Sequence, residues 1–317
     1  MRPNSSALLF AAAASLLLLT APAGEACTLF GAAGEGVVKE GGVIVAKTRD
    51  EHPGPQEVKV LSPRDGHTYF GLFTGAKKRF NMGVNDQGLF LARSTSGGIP
   101  KKERLAAPHF SLDGLIATDV IMRRFSSVDE VLAHPEVFVE PVNYLLADRA
   151  KIAVVEVLPG GRTTLRITTA GTAAHTNHFI EPESKDLNQI VGASSARRLE
   201  RIRELLAAAE RPITLEAMNA MTRDRHDGPV RSIWRTGVRK DGVQTLAAMT
   251  ASLPKSGDPE IRLVWRTNPE DPASLREVAG RLPLGAGFRA AAEKLAAGAQ
   301  EVRGVRDAAH GRAPESD

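Results

Sequence analysis

Residues 27–51 read CTLFGAAGEGVVKEGGVIVAKTRDE. Two runs of β-forming residues, CTLFGAA and VIVAKTRDE, stand on either side of glycines 34, 36, 41 and 42, the pattern of a hairpin with an irregular connection. A hairpin centred between Val38 and Lys39 pairs residues whose numbers sum to about 77, which brings Cys27 level with Asp50. Outward from this hairpin, strands are expected at Gln56–Ser62, Thr68–Thr74, Arg79–Asn85 and Leu89–Ser96, with the Val84-Asn85-Asp86-Gln87-Gly88 stretch as the last turn. Helical spacing follows Ser111, and Ser126 or Ser127 caps a second short helix. Strands return between Val142 and Phe179. Helices are expected at Ser195–Ala209 and Thr214–Met221, then a hairpin of VQTLAAMTASL and EIRLVWRTN, then a helix at Gly287–Ala297. This order is not the strict β-α-β alternation of a doubly wound sheet. It suits an α+β arrangement of antiparallel sheets packed face to face, with helices outside.

Composition narrows the classes further. The chain has 317 residues, 42% hydrophobic and 25% charged, with 41 Lys+Arg against 37 Asp+Glu, which is the composition of a folded globular protein. A net charge of +4 with no concentrated basic stripe argues against a nucleic-acid partner. The one cysteine, Cys27, excludes an intrachain disulfide and a thiolate metal cluster. His175 and His178, at i, i+3 in a strand, face opposite sides and do not make a metal pair. Neither a metal nor an organic cofactor is expected, and the oligomeric state is left open.

Ahead of the hairpin, residues 1–26 show Arg2, an apolar run of 13 residues from Ala7 to Leu19, and a small-residue stretch ending GEA. That is the layout of a secretory signal, and the run is shorter than the ~20 residues of a membrane-spanning helix. Cleavage after Ala26 makes Cys27 the new N-terminus. An α-amine titrates near ~8 and a thiol near ~8.5, so such a residue carries its own base. The competing reading is a lipoprotein anchor on the cysteine, but Gly24 and Glu25 before it do not match the Leu-containing lipoprotein signal. The reading is therefore a signal at 1–26, a catalytic domain at 27–285, and a C-terminal helix and tail at 286–317, in a periplasmic or secreted protein with no stable membrane span.

The CTLF terminus, the KTRD segment, the Val-Asn-Asp-Gln-Gly-Leu turn, the Thr-Asn-His-Phe segment and the Ser-x-x-Arg-x-x-Arg helix together resemble the N-terminal-nucleophile hydrolases of the linear amide group. That group includes choloylglycine hydrolases, penicillin V acylases and acyl-CoA:6-aminopenicillanate acyltransferases, and the chain looks closest to the last. The resemblance implies a four-layer αββα sandwich and thiolate attack by Cys27 on the carbonyl of a small acyl-amide. Carried over residue by residue, it implies that Asp50 orients the terminal amine and that Asn177 donates to the oxyanion. Arg198 would sit near the nucleophile, and either Lys47 or Arg49 would favour the thiolate. Thr95 stands where the family has a second oxyanion asparagine, so its hydroxyl, or a backbone amide at Ser94 or Thr95, would take that place. Hydrolysis and acyl transfer share these residues, and a lipid-anchored, non-catalytic binding protein is the rival from another class.

Overall fold

A computed structural model describes residues 26–301 except 269–270 and 272–273. Of the proposed signal only Ala26 falls among them; the rest of that segment, and the tail from residue 302, lie outside the described residues. No helix among the described residues is long and apolar enough to cross a membrane.

Strand β1 (Ala26–Ala33) pairs antiparallel with β2 (Val43–Glu51). The register is one residue from the expected one: Cys27 stands opposite Arg49, and Ala26 opposite Asp50. The cause lies in the loop. Gly34 takes a φ of +93°, open to glycine, and its N–H donates to Gly42 O at 3.0 Å, so the hairpin closes around Val38. Because side chains alternate across a strand, this shift decides which groups share the thiol's face. Lys47 and Arg49 do; Asp50 points the other way.

Both faces of these strands are buried, which explains their nearly continuous apolar runs. Leu29, Val43 and Val45 enter the core between two sheets, whereas Phe30, Ala32, Ile44 and Ala46 meet the helices outside. The first sheet adds β10 (Gly171–His175) beside β1, then β11 (Gln244–Leu253), β12 (Glu260–Arg266), β13 (Leu275–Arg281) and β14 (Gln300–Glu301) beyond β2. The second runs in sequence order from β3 (Gln56–Leu61) through β4 (Tyr69–Thr74), β5 (Arg79–Asn85), β6 (Phe90–Thr95), β7 (Val142–Ala147) and β8 (Ile152–Val157) to β9 (Thr163–Thr168). All these ladders are antiparallel.

Helices α2 (Ala117–Arg124) and α3 (Val128–Leu132) cover the second sheet through Val120, Ile121, Val128 and Val131. Helices α4 (Ala193–Ala208) and α5 (Leu215–Met221) cover the first through Ile202, Leu206 and Met218. The arrangement is the αββα sandwich that the resemblance implied. Ser127 caps α3 by accepting from Glu130 N. The helical spacing after Ser111 starts later than expected, because Asp113 and Gly114 both take positive φ values and leave only a short turn ahead of α2. Four elements were not anticipated: α1 (Lys101–Ala106) after Pro100, the short helix α6 (Gly228–Arg231), and the strands β13 and β14. Helix α7 (Phe288–Ala297) buries Phe288 and Ala292 in the core between the sheets.

Candidate active site

Cys27 lies at the start of β1, buried, on the face turned toward the second sheet. Lys47, two residues from Arg49 on β2, is on the same face and fully buried. Its Nζ reaches across to the side-chain oxygen of Asn81 on β5, a polar anchor that a buried ammonium requires. Burial pushes the Cys27 thiol above its ordinary range, and the charge of Asp50 adds to this; the charge of Lys47, a hydrogen bond from the Asp50 backbone N–H and, more weakly, the charge of Arg49 oppose it. Both cations left open by the sequence therefore act on the sulfur in the same direction, Lys47 more strongly, yet desolvation and the Asp50 charge outweigh them.

On the helix-facing side, Asp50 is 1% exposed. Its Oδ1 accepts from Thr245 Oγ1 at 2.7 Å, while Oδ2 is buried without a hydrogen-bond partner. Desolvation raises its pKa despite the nearby guanidinium groups of Arg198 and Arg235. A buried carboxylate oxygen with no donor is costly, and this one belongs to the residue paired with Ala26.

Asn177 follows β10 in the loop that approaches Cys27. With Ala26 attached, the Cys27 N–H donates to Asn177 Oδ1 at 2.9 Å. Arg198 on α4 donates to that same oxygen at 3.0 Å, to Thr28 Oγ1 at 2.9 Å and to the Cys27 carbonyl. It is fully buried, and desolvation brings its pKa down to about 10 although Asp50 holds it up. The Asn177 amide does not point freely at the cavity: one N–H donates to the Thr95 carbonyl at 3.0 Å. Thr95 thus meets Asn177 through its backbone oxygen, and the Ser94 hydroxyl is used on Thr176 O at 2.7 Å. Cys27, Asp50, Asn177, Arg198, Lys47, Arg49 and Thr95 all converge, although the Asp50 side chain lies on the opposite face of the sheet to the thiol.

The sequence reading missed what fixes the Asn177 loop. Glu156 on β8 is fully buried; its Oε1 accepts from His175 Nε2 at 2.8 Å and Ile180 N at 2.6 Å, and its Oε2 from Thr164 and Ser184 hydroxyls. Burial favours the neutral acid, but His175, Ser184 and the Ile180 N–H together hold the carboxyl down at about 2. The signal was present: a lone acidic residue inside the apolar strand KIAVVEV must be paired if buried. His178 Nδ1 faces Ser195 Oγ at 2.9 Å, and that oxygen accepts from Asn177 N at 3.0 Å. Desolvation, reinforced by the charges of His175 and Arg198, lowers His178 to about 4.

In front of the sulfur opens a cavity of about 300 Å³, walled by Arg49, Arg79, Arg93 and Thr95, with Phe80 and Pro55 as apolar surfaces. A thiol at the base of a concave site, with cations and amides around it, has the surroundings that attack on a polarised carbonyl requires.

Comparison with solved structures finds penicillin V acylase from Agrobacterium tumefaciens, 16% identical, with a TM-score of 0.50 over 87% of this chain and 98% of that one. The chain has the fold of an N-terminal-nucleophile hydrolase. Residues 127–268 of this N-terminal-nucleophile fold, from just ahead of α3 to just beyond β12, match the family described as acyl-coenzyme A:6-aminopenicillanic acid acyl-transferase. A Caenorhabditis elegans N-acylethanolamine-hydrolyzing acid amidase ortholog is also similar, at 11% identity and a TM-score of 0.49 over 73% of this chain and 94% of that one. No curated protein matches the sequence.

Proposed function

We propose that this protein is an exported cysteine amidohydrolase that cleaves a linear, non-peptide amide through a thioester on Cys27. The observation that carries the reading is the position of Cys27 at the start of β1, with its sulfur on the cavity side and its nitrogen held by Asn177 Oδ1. Once the Ala26–Cys27 bond is cut, the nitrogen becomes an amine next to the unpartnered Asp50 Oδ2, which gives that oxygen its donor. The amine takes the thiol proton, and the thiolate attacks the acyl carbon. The resulting oxyanion draws on the second N–H of Asn177, a type of contact worth ~2.7–4 kcal/mol of barrier. Collapse breaks the carbon-nitrogen bond, the leaving amine takes the proton, and water then cleaves the thioester by the reverse proton route.

Acyl transfer to an amine in place of water is the second reading, favoured by the acyl-transferase match at residues 127–268. N-terminal sequencing of the exported protein, intact mass after incubation with acyl-amides, and turnover of Cys27→Ser test both. The expected results are a chain that starts at Cys27, an acyl adduct on that residue, and a folded Cys27→Ser variant with turnover reduced by at least a hundredfold. Acyl product on an added amine separates transfer from hydrolysis. A mature terminus elsewhere, or full activity in the serine variant, refutes the mechanism.

A further inference from the structure

One helix grips Asn177 at two points. Ser195 and Arg198 stand three residues apart on α4 and so are neighbours on its surface. Arg198 donates to the Asn177 side-chain oxygen at 3.0 Å, and Ser195 Oγ accepts from the Asn177 backbone N–H, also at 3.0 Å. The guanidinium reaches on to Cys27 and Thr28. The serine, which opens the Ser-x-x-Arg-x-x-Arg pattern and is 7% exposed, turns its hydroxyl to the loop that carries Asn177.

That hydroxyl meets three consecutive residues: Thr176 Oγ1 at 2.9 Å, Asn177 N at 3.0 Å and His178 Nδ1 at 2.9 Å. A hydroxyl has one proton and two lone pairs, so three partners fill it. His178, lowered to about 4 by burial, is neutral near pH 7. With the ring proton on Nε2, its Nδ1 takes the serine proton, and the Asn177 N–H and the Thr176 hydroxyl occupy the lone pairs. From the other side, Gly97 N donates to Asn177 O at 2.6 Å and Ser94 Oγ to Thr176 O at 2.7 Å. The loop backbone is therefore clamped between α4 and the end of β6. One side-chain N–H of Asn177 is fixed on Thr95 O, and the direction of the second follows from where that backbone sits.

We propose that Ser195 is a positioning residue: by holding the Asn177 backbone it aims the second N–H of that side chain at the oxyanion formed when Cys27 attacks. This inference rests on the catalytic reading of Cys27. Ser195 acts through Asn177 alone. Its effect is therefore confined to reactions in which charge gathers on a carbonyl oxygen.

Two reagents for the same sulfur, applied to the purified exported protein, separate this role from a merely structural one. p-Nitrophenyl acetate passes its acetyl group to Cys27: the carbon-sulfur bond forms through an oxyanion, p-nitrophenolate leaves, and the thiol proton stays on the amine. Iodoacetamide alkylates the thiolate by displacing iodide, and no oxyanion forms. The rate of first-turnover p-nitrophenolate release, corrected with Cys27→Ala, is divided by the alkylation rate. We expect Ser195→Ala to lower this ratio tenfold or more, part of the roughly 10²–10³ that loss of an oxyanion donor costs, with alkylation within twofold of the parent. In an Asn177→Ala background it should lower the ratio no further, because it acts through that amide. Ser195→Thr keeps the hydroxyl and should keep the ratio within threefold of the parent; a ratio lost with the hydroxyl present overturns the proposal even if Ser195→Ala folds poorly. An unchanged ratio in Ser195→Ala, an equal fall in both rates, or a full additional fall on Asn177→Ala also overturns it. If the parent is acetylated at Cys27 no faster than Asn177→Ala, the mechanism fails and this inference with it; acetylation that needs Asn177 but not Ser195 removes only the positioning role.

Discussion

Replacing Glu156 with Leu should be among the most damaging single changes in this protein, although the residue touches neither the thiol nor the cavity. The substitution deprives His175 Nε2 and Ile180 N of their acceptor, along with the Thr164 and Ser184 hydroxyls. Ser184 keeps a contact at 3.2 Å with Glu181 O, which leaves the ring and the backbone N–H as the principal orphans. At about 1–3 kcal/mol for each unsatisfied buried donor, the loss comes to roughly 3–5 kcal/mol, in the range for breaking a buried charged pair. Glu156→Gln keeps the shape and one acceptor oxygen, lets the two hydroxyls reverse and accept, and should cost only about 1–2 kcal/mol. Urea unfolding followed by tryptophan fluorescence measures both. The carboxyl sits at about 2 in the folded chain against 4.5 ordinarily, so the unfolded chain takes up the proton first as pH falls. Its contribution is complete above pH 4.5 and is lost as pH drops through that window toward 2, in all on the order of 3 kcal/mol. The glutamine variant should lose that part of the acid slope. A leucine variant within 1 kcal/mol of the parent, or an unchanged acid slope in the glutamine variant, would refute the assignment.

Lys47→Met should move the pH profile of Cys27 alkylation by iodoacetamide to higher pH, because Lys47 is the largest of the charges that favour the thiolate; an unmoved profile removes Lys47 from the mechanism. Gly31→Ala puts a Cβ 2.7 Å from Ile152 Cδ1 on the facing sheet and 2.9 Å from Val45 Cγ1. This overpacking should lower stability by about 1–3 kcal/mol; thermal denaturation showing no loss would mean that the sheets separate more easily than their packing indicates.

The outline of the fold was legible because each strand of the first hairpin carries its own pattern and glycines punctuate the turn between them. Helix α4 was equally plain, with Leu199, Ile202 and Leu206 at helical spacing and buried together with Arg198. Strand β13, LREVAGR, was not. It has mixed polarity, so although it follows β12 directly and pairs with it, no alternation of apolar residues marks it as a strand. The site divided in the same way. Residue types in short motifs located Cys27, Asn177 and Arg198. The partners that hold the Asn177 loop and Asp50, Glu156 on β8 and Thr245 on β11, lie far away in sequence and come into place only when the strands pair and the sheets stack.

The one-residue difference in register carries more weight than its size suggests. Had Cys27 paired with Asp50, thiol and carboxylate would share the cavity face, and the negative charge, which already opposes thiolate formation from behind the strand, would do so at close range. With Cys27 opposite Arg49, the pleat sends the sulfur toward Lys47 and the arginines and sends the carboxylate behind the strand to Thr245, Arg198 and Arg235. The nitrogen of Cys27 belongs to the backbone, between the two faces, and is accessible from either. A terminal cysteine at this register can therefore keep its sulfur in a cationic field and its amine beside an anion. The same separation makes the order of events matter: while Ala26 occupies the place opposite Asp50, the carboxylate has no amine to hold, and burial keeps the thiol protonated. On the proposed mechanism, the reactive pair on this strand is a product of chain cleavage as well as of folding.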